Sequence, residues 1–275
     1  MLVPYSSPAI AYLALPSLRL TIPEGFLGAR AVLTSCGPRR VSVSCSSRRP
    51  LLERARSRLF SVDMASSTAT PLPKMPVTVP FYRERPYPQV LVEVFLDYNC
   101  PYSKKAFLTL WQQVLPLYKA EHRVQFSFGL VPQPWHAQTC YVHEAALAVR
   151  QLSGDEGFWK ASAVLFDHQS DWVDENVLDK TRRQVYEELA TCLEKAGTVP
   201  SASSVLKLLL TAPGNGGNAV GAAVKFACRY HRVRGVHVTP TVHINGIPEL
   251  NASSSWTKED WKDRIDSLLT VEQGH

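Results

Sequence analysis

One cysteine of the chain stands where thiol chemistry is favoured. Cys100 opens the tetrapeptide Cys100-Pro101-Tyr102-Ser103, which lies between an apolar segment and an amphipathic one. A thiolate is the nucleophile and the leaving group in thiol–disulfide exchange. Ser103 occupies the position of the second cysteine in a Cys-x-x-Cys pair. Its hydroxyl can donate a hydrogen bond to a thiolate, but it cannot displace a thiol from a mixed disulfide. The motif therefore predicts one-thiol chemistry.

The segments on either side explain why Cys100 is placed well. Residues 90–96 are apolar and rich in β-branched types, which predicts a buried strand. Beyond Pro101 the apolar residues follow helical spacing, which predicts an amphipathic helix; they are Phe107, Leu110, Trp111, Val114 and Leu117. Proline suits the first helical position, so Cys100 is predicted to be the N-cap. The unpaired N–H groups and the helix dipole favour an anion there.

The partner that would release a mixed disulfide from Cys100 is left open by the sequence. A small thiol such as glutathione is one alternative. The other is a thiol of this chain that folding brings close to the site: Cys140, Cys192 or Cys228.

A second motif lies near the C-terminus. Residues 236–244 alternate in polarity and are rich in β-formers, which predicts a strand, and Asn245-Gly246 predicts a hairpin turn. Pro240 falls inside this predicted strand. Proline is expected there only at a sheet edge or after a cis peptide bond.

Together the two motifs resemble the DsbA-like branch of the thioredoxin superfamily, from about residue 77 to the C-terminus. The resemblance implies that Pro240 is cis and faces Cys100, and that Thr239 offers backbone groups to an extended substrate. It implies catalytic roles for Cys100 and Ser103, and substrate contacts for Pro101, Tyr102, Thr239 and Pro240.

The sequence departs from that family in two places. Ser103 replaces the second cysteine. The carboxylate that bacterial members carry six residues before the cysteine falls at Val94, with Glu93 one position away. A shift of one residue turns a strand side chain to the other face, so Glu93 is a doubtful proton-transfer group.

The predicted fold class is α/β, a thioredoxin-like β-α-β … β-β-α arrangement in a domain spanning residues 81–275. A large helical insertion is expected at about 137–234, with helices at 141–152, 159–166, 181–195, 201–210 and 219–233. A closing helix is expected after Thr257 and Asp260, which form an N-cap pair. Residues 64–80 are proline-rich and predict a linker.

The N-terminal region has the composition of a targeting leader. Residues 1–63 hold nine Arg, no Lys and three acidic residues, a net charge of 9 − 3 = +6. That equals the formal charge of the whole chain, so the rest is neutral, and a nucleic-acid partner gains no support. A Ser- and Arg-rich leader predicts organelle import. The mitochondrion is favoured, with the plastid, or the cytosol if translation starts at Met64, as alternatives. No apolar run approaches a membrane span.

We therefore expect a monothiol thiol–disulfide oxidoreductase acting on protein thiols or disulfides, or on glutathione as co-substrate. No tightly bound cofactor and no metal are expected, although His136, Cys140 and His143 have zinc-ligand spacing. Two other functions stay open. One is a glutathione-dependent transferase or isomerase of the kappa-class type, with Ser103 activating glutathione. The other is a redox-inactive binding module that keeps the fold.

Overall fold

A five-stranded mixed sheet forms the centre of the protein. The computed structural model describes residues 72–82 and 87–270, and the predicted leader, residues 1–63, lies outside them. The strands are β1 (Val79–Pro80), β2 (Val90–Leu96), β3 (Val124–Leu130), β4 (Thr241–Ile244) and β5 (Ile247–Pro248). Their spatial order is β1-β3-β2-β4-β5, in which only β2 and β3 are parallel.

Strand β2 matches its predicted bounds, residues 90–96, because this mostly apolar run is covered on both faces. Strands β2 and β3 pair in register from Val90 opposite Val124 to Leu96 opposite Leu130. All residues of β3, and all of β2 except Leu91, are buried. Both strands run toward the same edge of the sheet, and Asp97 to Cys100 follow directly at the end of β2.

The helix after Cys100 changes its pitch along its length. Helix α1 (Pro101–Thr109) continues as a π-helical turn (Leu110–Val114) and then a 3₁₀ turn (Leu115–Tyr118). A π-helical turn and a 3₁₀ turn each depart from 3.6 residues per turn, so the buried positions after Val114 differ from those of a continuous α-helix. Leu115 and Tyr118 are buried, whereas Leu117 is 42% exposed. The prediction that Leu117 belongs to the buried stripe was therefore wrong.

The predicted helical insertion is present between β3 and β4. It comprises α2 (Thr139–Asp167), α3 (Asp174–Val177), α4 (Arg182–Lys195), α5 (Ala202–Leu209) and α6 (Gly221–Val233). The segments 141–152 and 159–166, predicted as separate helices, lie in the two halves of α2 on either side of a non-helical residue, Gly154. Gly154 bends the helix with φ 70° and ψ −168°, a conformation open almost only to glycine. The apolar faces of the insertion and of α1 pack into one core.

The C-terminal hairpin is shorter than its sequence pattern predicts. The strand covers only Thr241–Ile244 rather than 236–244. Pro240 lacks the N–H that a ladder position requires, and the residues before it form a loop. Asn245 and Gly246 form the predicted turn with positive φ values of 49° and 85°. Helix α7 (Lys258–Leu269) follows, and its capping box of Thr257 and Asp260 is confirmed.

The segment predicted as a linker, residues 64–80, contributes to the sheet. Residues 64–71 lie outside the described part of the chain. Val79 and Pro80 form β1, are buried, and pair with β3, so the folded domain begins before residue 81. Within the described residues, none of the helices has the length and apolar character needed to span a bilayer.

Candidate functional site

Cys100 is the N-cap residue of α1, as predicted. Its backbone is extended (φ −80°, ψ 120°), and Pro101 takes the first helical position. The Cys100 N–H donates to the Asp97 carbonyl (3.1 Å), and the Cys100 carbonyl accepts from the Lys104 N–H (3.1 Å). The residue is 7% exposed. The thiol therefore lies at the positive end of the helix dipole, in a buried position.

The second motif reaches the same point from the far end of the chain. The Thr239–Pro240 peptide bond is cis. The thiol of Cys100 donates to the carbonyl oxygen of Thr239 at 3.3 Å, across a sequence separation of 139 residues. Thr239 and Pro240 are partly exposed, while Pro101 and Tyr102 are exposed on the surface beside the thiol. The structure thus brings together five of the six predicted site residues around one sulfur atom.

Ser103, the sixth, faces inward. Its side chain is fully buried, and its Oγ accepts a hydrogen bond from the backbone N–H of Asp97 at 3.2 Å. The expected partner was the thiolate of Cys100. The hydroxyl instead ties the first turn of α1 to the end of β2, so its contact in this structure is structural.

Asp97 is the centre of a polar cluster that the sequence pattern did not reveal. Its carboxylate is fully buried and accepts from the Asn99 N–H at 3.1 Å and from the Thr139 hydroxyl. The Nδ1 atom of His136 lies 2.6 Å from Asp97 Oδ2, and His143 Nε2 lies 3.5 Å from Oδ1. The last distance is at the outer limit of a hydrogen bond.

These neighbours keep the Asp97 carboxylate ionised. Burial alone would raise the pKa of Asp97, because it penalises the charged form. The nearby His143 imidazole, with hydrogen bonds from Thr139 and His136, outweighs burial and holds the pKa of Asp97 below its ordinary value. An anion is therefore fixed three residues before Cys100, with two imidazole rings beside it.

The sequence held a partial signal for this cluster. His136 and His143 were considered as zinc ligands with Cys140 because of their spacing. In the structure the two histidines approach Asp97. Asp97 directly follows the strand predicted at 90–96, where a carboxylate is ordinary and does not indicate a buried cluster.

Amide side chains brace the backbone that leads into Cys100. The Nε2 atom of Gln169 donates to the carbonyls of Tyr98 (2.7 Å) and Cys100 (3.0 Å). The side chain of Asn99 donates to the Trp172 carbonyl at 2.7 Å, and Gln138 donates to the same oxygen at 2.5 Å. The 3₁₀ turn Gln169–Trp172 of the insertion is therefore hydrogen-bonded to residues 98–100, which lead into α1.

Glu93 has partners that explain its burial. Its carboxylate accepts from the Tyr230 hydroxyl at 2.5 Å and from Arg234 Nη2 at 2.9 Å. Both partners belong to the end of α6, on the face of the sheet that also holds Phe95. Glu93 thus joins β2 to α6, which agrees with its doubtful role in proton transfer.

The three other described cysteines lie in partly buried positions that disfavour ionisation of a thiol. Burial is the main cause that raises the pKa of Cys140, Cys192 and Cys228, which disfavours their thiolates. All three are free thiols.

Comparisons with known proteins agree with this architecture. No protein-family model and no curated protein matches the chain. A proposed protein-disulfide isomerase from Pseudomonas syringae has a similar solved structure, with 25% sequence identity and a TM-score of 0.54. The match covers 68% of this chain and 97% of that protein.

Two other solved structures are more distant. MdbA from Actinomyces oris, a thiol-disulfide oxidoreductase, is 16% identical with a TM-score of 0.49, over 65% of this chain and 80% of MdbA. Oxidised BdbD from Bacillus subtilis is 17% identical with a TM-score of 0.47, over 70% and 93%.

Proposed function

We propose that this chain, a DsbA-like protein of the thioredoxin-like fold, is a thiol–disulfide oxidoreductase that works through the single thiol of Cys100. One observation carries the proposal: the sulfur of an N-cap cysteine faces the Thr239 carbonyl at 3.3 Å beside a cis proline. The N–H groups at a helix N-terminus favour an anion, and an extended substrate can lie along the backbone before Pro240.

The reaction begins with loss of the Cys100 thiol proton to solvent. The thiolate attacks one sulfur of a substrate disulfide and forms a new Cys100–S–S–substrate bond. The old S–S bond breaks, and its second sulfur leaves as a thiolate that takes up a proton. One disulfide is exchanged for another, so electrons balance without a further oxidant.

An external thiol completes the cycle in this proposal. Ser103 is buried, carries no sulfur, and accepts from Asp97 N–H, so it cannot resolve the intermediate. A second thiolate, from reduced glutathione or from a protein thiol, attacks the mixed disulfide and releases Cys100. Glutathione is therefore a co-substrate here, and the protein needs no bound cofactor.

The geometry disfavours the kappa-class alternative. In that mechanism a serine hydroxyl reaches the sulfur of glutathione bound in the site. The fully buried Ser103 hydroxyl accepts from the Asp97 N–H, whereas the Cys100 sulfur contacts Thr239 beside the partly exposed Pro240. We therefore propose covalent exchange at Cys100 rather than activation of glutathione by Ser103.

The test compares thiol release from a disulfide substrate by the wild-type protein and by Cys100→Ala. The wild-type protein is expected to release about one equivalent and then to stop until reduced glutathione is added. The Cys100→Ala variant is expected to release none. Equal release by both proteins would contradict the proposal.

A control variant checks that the other thiols are bystanders. Combined replacement of Cys140, Cys192 and Cys228 by Ala is expected to leave the first equivalent and the later dependence on glutathione unchanged. A different outcome would be that wild type releases its mixed disulfide without glutathione and that the triple replacement does not. One of these cysteines would then be the resolving thiol.

We further propose that residues 1–63 direct the protein to the mitochondrion. Their excess of arginine over acidic residues supports import into an organelle. A reducing matrix would keep the thiols free and supply glutathione as the resolving thiol.

A further inference from the structure

We propose that Trp135 is a specificity-determining residue that selects polypeptide substrates with an aromatic or large apolar side chain beside the reacting cysteine. This inference rests on the proposed function of Cys100 and names its substrate class. It gives a role to an exposed residue of the loop after β3.

Three separate segments each place one exposed apolar side chain around the thiol. Tyr102 of α1 is 65% exposed, Trp135 of the loop after β3 is 60% exposed, and Val238 before the cis proline is 62% exposed. Tyr102 and Val238 are close to Cys100 and Thr239 in the chain, and those two residues are hydrogen-bonded to each other. We call these three residues the apolar rim.

Trp135 belongs to the rim because side chains of its loop contact the segment before Cys100 and the segment before Thr239. On one side, His136 Nδ1 lies 2.6 Å from the Asp97 carboxylate, and the Asp97 carbonyl accepts from the Cys100 N–H. On the other side, buried Gln133 donates to the His237 carbonyl at 3.3 Å. His237 is two residues before Thr239, so the loop bridges the two motifs that meet at the thiol.

The loop is also stiff. Pro132 and Pro134 fix two of its φ angles, and the His136 N–H donates to the Gln133 carbonyl at 3.1 Å to close a turn. The ring of Trp135 meets that of His136 edge-on, with centroids 6.2 Å apart. A large aromatic side chain held at the surface by a fixed backbone loses little conformational entropy when it binds.

The chemistry of the rim fits a polypeptide. An indole, a phenol and an isopropyl group offer apolar contact and give no ionic partner to the carboxylates and ammonium group of glutathione. A substrate strand advances about 3.3 Å per residue, with side chains alternating between its faces. In this proposal, a residue adjacent to the cysteine bonded to Cys100 contacts the exposed indole ring.

The experiment uses three disulfide probes. Two are short peptides that differ only in Phe or Ala next to a cysteine, each joined by a disulfide to 2-nitro-5-thiobenzoate. The third is oxidised glutathione. Cys100 attacks the peptide sulfur, and the coloured thiolate that leaves is followed by absorbance, with the peptide adduct identified by mass.

The wild-type protein is expected to react about tenfold faster with the Phe peptide than with the Ala peptide, the size of one good aromatic contact. Trp135→Ala should reduce this ratio to about twofold while the rate with oxidised glutathione stays unchanged. Trp135→Phe should keep most of the preference. Leu250→Ala, a change at a 90% exposed apolar residue beyond the hairpin, is the matched control and should keep all of it.

Two results would overturn the inference while leaving the proposed function intact. One is equal wild-type rates with the Phe and Ala peptides. The other is an equal slowing of all three probes by Trp135→Ala, which would mean that the side chain supports the loop rather than the substrate. A wild-type protein that reacts with none of the probes would instead refute the proposed function.

Discussion

The buried carboxylate of Asp97 makes the sharpest stability prediction, tested by the substitution Asp97→Asn. The change removes a charge and one acceptor while keeping nearly the same volume. Asp97 accepts from Asn99 N–H and Thr139 through Oδ1 and meets His136 through Oδ2. An amide has only one oxygen, so it cannot accept on both sides.

The expected cost follows from those three contacts. A hydrogen bond to a charged group contributes about 1.5–3 kcal/mol, against about 0.5–1.5 kcal/mol for a neutral one. Loss of charge at three hydrogen bonds therefore costs about 3 kcal/mol. This figure does not include the desolvation penalty of the buried carboxylate, which the neutral amide avoids. For a domain of this size a loss of about 3 kcal/mol lowers the melting temperature by about 6–12 °C.

The pH dependence has a definite sign. The pKa of Asp97 in the folded protein is below its ordinary value, which is about 3.9 in an unfolded chain. The stability contributed by the carboxylate is therefore fully present above about pH 5 and is lost as the pH falls through the folded-state pKa. Asparagine does not titrate, so the gap between the two proteins should narrow in acid.

Urea unfolding followed by tryptophan fluorescence measures this gap at about pH 7 and about pH 3. Asp171→Asn is the matched control, because Asp171 also pairs with a histidine, His168 at 3.0 Å, but both side chains are about half exposed. It should change stability little. An Asp97→Asn protein as stable as wild type at neutral pH, or an unchanged gap at acid pH, would refute the reasoning.

Three further predictions concern the active thiol, the insertion and the leader. Ser103→Cys should convert the site to a dithiol, so the mixed disulfide at Cys100 resolves without glutathione; intact-mass analysis showing a persistent adduct would speak against this. Gly154→Ala should lower the free energy of unfolding by about 1–3 kcal/mol, because a residue with a Cβ atom is strained at φ 70° and ψ −168°. Urea unfolding that shows no loss of stability would contradict this strain. Residues 1–63 fused to a fluorescent protein should carry it into mitochondria, and fluorescence in plastids or throughout the cytosol would reject that destination.

A mostly apolar run predicted the part of the fold that depends on burial alone. Strand β2 matched its predicted bounds because six of its seven residues are buried. The prediction that Cys100 is the N-cap was also correct, because proline at position 101 favours the first helical position. The α/β, thioredoxin-like fold and its helical insertion followed from the order of these elements.

Features set by tertiary contacts were less accessible. The shift of pitch after Thr109 exposed Leu117, because a local turn type is invisible to a fixed helical period. The predicted strand at 236–244 included loop residues, since alternation of polarity does not show where ladder hydrogen bonds begin.

The polar cluster beneath the thiol illustrates the same limit. Asp97 and His136 are 39 residues apart in sequence, and only the packing of the loop after β3 against the end of β2 brings them together. That Ser103 cannot resolve a disulfide stays a prediction, and its hydroxyl partner is a backbone N–H that the sequence does not mark.

The central claim is that Cys100 acts as a single thiol with no internal resolving partner. Intact-mass analysis of the wild-type protein after exposure to oxidised glutathione tests it most directly, with peptide mapping to locate the adduct. We predict one glutathione on Cys100 that persists until reduced thiol is added and is then removed. Absence of the adduct, or its spontaneous replacement by a disulfide within the chain, would contradict the claim.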